Sequence, residues 1–145
     1  MIQLQRILLP TDLSEPSRMA TEYAVDLSKR FGAALHLLYV IEEPAEYTPL
    51  GGYFPSREEW QAFADTALQN WLPEDSSEGL EVVRAKVFGH PVEKINEYAM
   101  VHNMDLIVMG THGRSAISHL IMGSVAENVV RTSKCPVFTV RQKKK

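Results

Sequence analysis

Short apolar runs alternate along this chain with stretches whose apolar residues recur every three or four positions. Ile7-Leu8-Leu9 reads as a first buried strand. Ser14 is placed to cap a following helix that tolerates Pro16 in its first turn. Its apolar face is Ala20, Tyr23, Ala24, Leu27 and Phe31, and Gly32 ends it. Leu35 to Ile41 is almost wholly apolar, as expected of a parallel strand covered on both faces. Glu42 to Pro55 holds three prolines and Gly51-Gly52, and predicts a long loop. Ser56 with Glu59 forms a capping box. Behind it Trp60, Phe63, Ala64, Ala67, Leu68, Trp71 and Leu72 keep helical spacing, an aromatic stripe expected to pack into a core. Val83, Ala85 and Val87 alternate with Arg84 and Lys86, which predicts a strand near a sheet edge. Pro91 opens a third helix carrying Val92, Ile95 and Ala99, and Asp105 to Met109 is a fourth strand. Ser124 with Glu127 forms a second capping box at the head of a helix with Val125, Ala126, Val129 and Val130. Val137 to Val140 is a fifth strand.

The order is therefore β-α-β-α-β-α-β-α-β, an α/β fold with a parallel sheet and helices on both faces. In such sheets ligands bind beyond the carboxyl ends of the strands, where the winding switches direction. That directs attention to Thr11 and Asp12, the loop after Ile41, Gly89, and Gly110 onward. The 145 residues suit one domain, 1–145, with no tandem repeat or linker. Fifteen basic against eighteen acidic residues leave a net charge of −3, which gives no general attraction to nucleic acid or to anionic membranes. Lys143-Lys144-Lys145 reads as a solvated end. The single cysteine, Cys135, excludes an internal disulfide and fits a reducing cytoplasm. The short, mixed start before Pro10 predicts no secretory leader, and no run approaches the roughly 20 apolar residues of a membrane span.

The chemistry concentrates after the fourth strand, in Met109-Gly110-Thr111-His112-Gly113-Arg114-Ser115, followed by Gly123-Ser124 at the head of the last helix. Glycine allows positive φ and lets backbone approach a ligand without an intervening Cβ. Successive N–H groups form a nest for phosphate oxygens, and a helix N-terminus favours an anion. Ser124 is placed to cap its helix, to donate to phosphate, or both; Arg114 and His112 are further donors. The Gly-Lys-Ser/Thr of a P-loop is absent, and so is a Gly-x-Gly-x-x-Gly after the first strand.

Three stretches together carry a resemblance. They are Asp105-Leu-Ile-Val-Met-Gly-Thr-His-Gly-Arg-Ser, then Met122-Gly-Ser-Val-Ala-Glu-Asn-Val-Val-Arg, then Cys135-Pro-Val-Phe-Thr-Val. With the opening Arg6-Ile-Leu-Leu-Pro-Thr-Asp, the whole chain resembles the universal stress protein family, and its glycine set resembles the ATP-binding branch. The resemblance implies a Rossmann-like fold, of the adenine nucleotide alpha hydrolase-like kind, whose five parallel strands take the order 3-2-1-4-5. It further implies that Pro10, Thr11 and Asp12 lie against adenosine, with Asp12 near ribose or base, and that Val40 meets adenine through its backbone. Met109, Gly110, His112, Gly113 and Arg114 would wrap ribose and phosphates. Gly123, Ser124 and Val125 would hold the β- and γ-phosphates. The implied ligand is ATP, or ADP or AMP, with a divalent cation such as Mg on the phosphates and no protein-built metal site. Ala116 replaces a frequent glycine and His119 a frequent basic residue.

Other readings stand beside these. Asp12 is also placed to cap the turn into the first helix. His36 reads as a core or interface residue, His90 as a helix-entry residue, His102 as a helix-end cation and Cys135 as a small buried residue. The resemblance implies a homodimer joined through Val137 to Val140. The functions it leaves open are a nucleotide-dependent stress-response regulator in the cytoplasm, a slow ATPase using Asp12, His112 or Arg114, and a dimer of the same fold that binds no nucleotide.

Overall fold

A computed structural model of the chain describes residues 1–43, 55–112 and 122–142. Five parallel strands form one sheet: β1 (Arg6–Thr11), β2 (Ala34–Ile41), β3 (Val82–Phe88), β4 (Leu106–Gly110) and β5 (Val137–Val140). Their order across the sheet is β3-β2-β1-β4-β5. The helices are α1 (Arg18–Phe31), α2 (Arg57–Trp71), α3 (Pro91–Val101) and α4 (Ser124–Thr132).

The twofold periodicity of the strands divides the core into two layers. Ile7, Leu9, Leu35 and Leu37 pack with Ala20, Ala24, Ala64, Leu68 and Trp71, which places α1 and α2 on one face. Leu8, Leu38, Ile107 and Met109 pack with Ile95, Tyr98, Ala99, Ala126 and Val129, which places α3 and α4 on the other. Two-sided burial is why the central strands read as continuous apolar runs. A polar tie joins α1 to α2 within the first layer: the Trp71 indole N–H donates to Thr21 Oγ1 at 2.9 Å.

Several local expectations need correction. Ser14 does not cap α1. It precedes a 3-10 turn, Glu15–Ser17, and α1 starts at Arg18 with Ser17 as its N-cap. Ser56 does accept from the Glu59 N–H, at 3.2 Å. Ser124 forms no such cap, because it is already the first helical residue and Gly123 holds the cap position. Tyr23, Phe31, Phe63 and Val130 belong to apolar stripes in sequence, yet they are exposed. The strands cover only the middle of each stripe, so its margins remain in solvent. Gly32 ends α1 as expected, in the left-handed conformation at φ 65°. The fourth strand is shifted by one residue, and Asp105 lies just before it. Of the stretch Glu42 to Pro55, residues 44–54 lie outside the described residues, as do Lys143-Lys144-Lys145.

Asp105 has a structural role that its position in the sequence did not announce. Its Oδ2 accepts from the backbone N–H of Gln5 at 2.8 Å and of Arg6 at 3.0 Å, while its own N–H donates to the Arg6 carbonyl at 2.9 Å. The carboxylate therefore sets the register of β1 against β4. Asp105→Ala leaves two N–H groups without this acceptor and is expected to lower stability by about 1–3 kcal/mol; urea denaturation followed by circular dichroism checks it.

His36, on β2, is half-buried, and its Nδ1 lies 2.7 Å from the Tyr98 hydroxyl on α3. His102, the C-cap of α3, stacks on the Tyr98 ring with centroids 4.0 Å apart. Burial, then the nearby His102, push the His36 pKa below its ordinary 6.5; Arg6 acts in the same direction and Glu81 opposes. A base whose pKa is lowered by folding binds its proton more tightly when unfolded. This contribution to stability is therefore present above pH 6.5 and is lost as the pH falls through and below that value. Urea midpoints measured from about pH 7.5 down to about pH 5 should fall on acidification, and His36→Gln should flatten part of that slope.

Candidate functional site

The crevice begins with a hydrogen bond that cannot form. β1 pairs with β2 as far as Thr11 and Tyr39, but with β4 the register ends at Leu8 and Ile107. The Gln5 carbonyl faces β2 and the Arg6 carbonyl faces β4, so by alternation Leu8 and Pro10 also face β4. Pro10 has no N–H, and the ladder stops before it. β1 and β4 thus part at their carboxyl ends. The sheet order reverses between these same two strands, which is where α/β folds place their ligands.

One wall of the crevice is the turn after β1. The Thr11 hydroxyl accepts from the Leu13 N–H at 3.0 Å and lies 3.2 Å from Ser17 Oγ. Asp12 Oδ1 accepts from the Ser14 N–H at 3.0 Å and from the Ser14 hydroxyl. Between them Leu13 adopts a left-handed conformation at φ 63°, an uncommon state for a branched residue. The reading of Asp12 as the residue that caps this turn is therefore realised. Thr11 is buried and Asp12 half-buried.

The opposite wall is the end of β4 with the head of α4. The Gly123 N–H donates to the Thr111 carbonyl at 2.6 Å, and the Thr111 N–H donates to Val140 at 3.0 Å. The residues before and after segment 113–121 are thereby held together. A Cβ on Gly123 would lie 2.9 Å from the Thr111 carbonyl oxygen, closer than side chains pack. One on Gly110 would meet the carbonyls of Pro16 and His112 at 3.4 Å and Ser17 Cα at 3.6 Å. Gly123 is thus required by protein backbone on protein backbone, a reason different from the ligand approach expected of it, whereas a Cβ on Gly110 would make contacts of ordinary van der Waals length. Gly123 also spends its N–H inside the protein. The N–H groups of Ser124 and Val125, in the first turn of α4, meet no acceptor among the described residues.

Thr111 Oγ1 lies 3.0 Å from His112 Nδ1, and His112 Nε2 is buried without a hydrogen-bond partner. Met109 is buried at the end of β4. Val40, half-buried, stands one residue beyond Tyr39, the partner of Thr11, and so at the same end of the sheet. Pro10, Thr11, Asp12, Val40, Met109, Gly110, His112, Gly123, Ser124 and Val125 therefore all lie at the carboxyl ends of β1, β2 and β4 or at the head of α4. Gly113 and Arg114 lie outside the described residues, as do Ala116 and His119. Sequence reasoning passed over Thr111, whose carbonyl holds Gly123. Its place between two of the glycines was the available signal. Among the described residues no cluster of three or more His, Cys, Asp or Glu side chains could hold a metal ion, and no helix is long and apolar enough to cross a membrane.

Comparison with known proteins agrees with this architecture. The sequence profile of the universal stress protein family matches residues 3–141. A universal stress protein of Methanocaldococcus jannaschii is 31% identical over 148 residues, covering 97% of this chain and 84% of the relative. A putative universal stress protein of Staphylococcus aureus is 32% identical over 145 residues, covering 97% and 86%. Among solved structures, the universal stress protein UspA from Lactobacillus plantarum superposes with a TM-score of 0.79 at 26% identity, over 97% of this chain and 100% of that one. A universal stress protein in complex with cAMP superposes with a TM-score of 0.73 at 26% identity, over 98% and 100%. A profile that spans nearly the whole chain, relatives above 30% identity and the same sheet order lead to one conclusion: this chain belongs to the universal stress protein family.

Proposed function

We propose that this chain binds ATP, with a divalent cation such as Mg on the phosphates, in the crevice between β1 and β4, and that it works as a homodimeric, nucleotide-dependent regulator of a stress response. The observation that carries the reading is the parting of β1 from β4 at Pro10, opposite a helix terminus whose first N–H groups have no acceptor among the described residues. An opening at the switch point suits a flat base and ribose, and an uncapped helix N-terminus suits phosphate oxygens. The relative that holds cAMP adds support, since cAMP is an adenine nucleotide. In this reading Pro10, Thr11, Asp12 and Val40 line the adenosine. Met109, Gly110 and His112, with Gly113 and Arg114, follow the ribose and phosphates. Ser124 and Val125 donate to the outer phosphates, and Gly123 acts by holding the Thr111 carbonyl.

Ser124→Pro tests the phosphate contact without disturbing the helix. Proline is favoured at the first helical position, and Gly123, at φ −62° and ψ 155°, already has the extended backbone that a following proline demands. The variant removes one N–H and one hydroxyl. Titration calorimetry with Mg-ATP should show saturable binding to the wild-type chain and binding weaker by roughly tenfold or more in Ser124→Pro. Equal affinity in a variant with an unchanged circular dichroism spectrum would refute this role for the α4 terminus.

The two sheet edges differ in a way that supports the dimer. β3 carries Arg84 and Lys86, and charge on an edge discourages further pairing. β5, Val-Phe-Thr-Val, carries none, and its exposed Phe138 lies with its ring centroid 5.7 Å from that of exposed Tyr23. Phe138→Lys should convert a dimer into a monomer in light scattering after size exclusion, with the fold intact.

A further inference from the structure

Two histidines and a tyrosine meet where the end of α3 lies on β2, and none of them belongs to the crevice. His36 Nδ1 is 2.7 Å from the Tyr98 hydroxyl. The Tyr98 ring stacks on His102 with centroids 4.0 Å apart, and the His36 and His102 rings lie 6.0 Å apart. The three rings close a triangle in which the tyrosine touches both histidines.

This triangle fastens the end of α3 to the sheet. His102 is the C-cap, and Asn103 follows in the left-handed conformation at φ 52°. The His102 N–H donates to the Tyr98 carbonyl at 3.0 Å, and the Met104 N–H reaches back to the Ala99 carbonyl at 2.9 Å. These backbone bonds close the helix but do not tie it to β2. The tie is made by the side chains of His36 and Tyr98. Directly after Met104 comes Asp105, whose carboxylate holds the Gln5 and Arg6 N–H groups. The fastened turn therefore leads straight into the clamp between β1 and β4.

Protons act on this tie in two ways. A neutral imidazole can accept on Nδ1 from the phenol, whereas an imidazolium can only donate there. Tyr98 is 8% exposed, so a hydroxyl hydrogen turned away from Nδ1 needs a new acceptor inside the contact of α3 with β2. Charge works in the same direction. Burial, then His102, oppose a proton on His36; Glu81, just before β3, favours it, and Arg6 of β1 opposes it. Lys94 and Glu97, the charges midway along α3, pair with each other at 3.1 Å. Two imidazolium charges with ring centroids 6.0 Å apart repel, so the pair holds one proton more readily than two.

We propose that His36, Tyr98 and His102 form a proton-operated latch between β2 and α3. With at most one proton on the two histidines, the last turn of α3 stays docked. A second proton undocks that turn while the sheet remains folded. The opening is local, and it is distinct from the loss of overall stability on acidification.

The test is amide hydrogen exchange of the full chain followed by NMR. The histidine ring signals are titrated in the same samples, from about pH 7.5 to about pH 5. Rates are corrected for the pH dependence of exchange itself. The His102 and Met104 amides should lose protection by about tenfold or more as the pH falls below 6.5, and those of Leu9 and Leu37 should lose less. His36→Gln should remove this difference. His102 is exposed, so His102→Gln keeps the test available should the first variant fail to fold. That second variant should raise the titration midpoint of His36 and preserve protection at Met104 in acid. Protection at His102 and Met104 that does not change with pH, a loss equal at all four amides, or a His36 midpoint unmoved by His102→Gln would overturn the proposal.

Discussion

Pro10 has no N–H, and it stands where β1 would next donate to β4. The parallel pair has to end there, while β1 continues beside β2 to Thr11. The opening between β1 and β4 at the carboxyl end of the sheet begins at this missing donor. The turn through Asp12 and Leu13 has space to fold over, the end of β4 stays paired with β5 as far as Gly110 and Val140, and an opening remains between β1 and β4. A residue able to donate at position 10 would extend the ladder into the region that the ligand reading needs open. The constraint belongs to the backbone, so it holds whatever the side chains nearby do.

The far wall is set by a second backbone constraint, the bond from Gly123 to the Thr111 carbonyl. It fixes where α4 begins and which way its first N–H groups face. Gly123 is small because the chain passes close to itself there, against the Thr111 carbonyl. The glycine at the head of α4 is therefore first a packing device. Whatever anion affinity it has comes from the neighbouring N–H groups that the packing leaves without acceptors.

Much of the fold was legible in the sequence. Strand and helix periods are local, and the two-sided burial of β1, β2 and β4 appears directly as apolar runs. Helix starts were less legible. Ser14 and Ser124 both carry the right chemistry for a cap, but the position that caps is decided by neighbours. The Thr11 and Asp12 side chains take the N–H groups after β1 and delay α1 to Arg18, while the Thr111 bond moves the α4 cap back to Gly123. Exposure of Tyr23, Phe31 and Phe63 was not readable either, because an apolar stripe gives its direction and not the width of the sheet beneath it. Asp105 and Thr111 went unread because each acts through groups distant in sequence. Of the candidate site, the residues on strand ends and at the head of α4 could be named from pattern and resemblance. The packing role of Gly123 became apparent only from the atom a Cβ would meet.

The central claim is that an adenine nucleotide sits where β1 and β4 part, with its phosphates on the first turn of α4. The most direct measurement is the nitrogen–proton NMR spectrum of the folded chain, recorded as Mg-ATP is added. The account predicts that the amides of Thr11, Asp12, Gly110, Ser124 and Val125 shift together along one saturable curve, while those around Met104 and Cys135 remain still. Saturable shifts elsewhere with Ser124 and Val125 unmoved, or no shift at all, would contradict it.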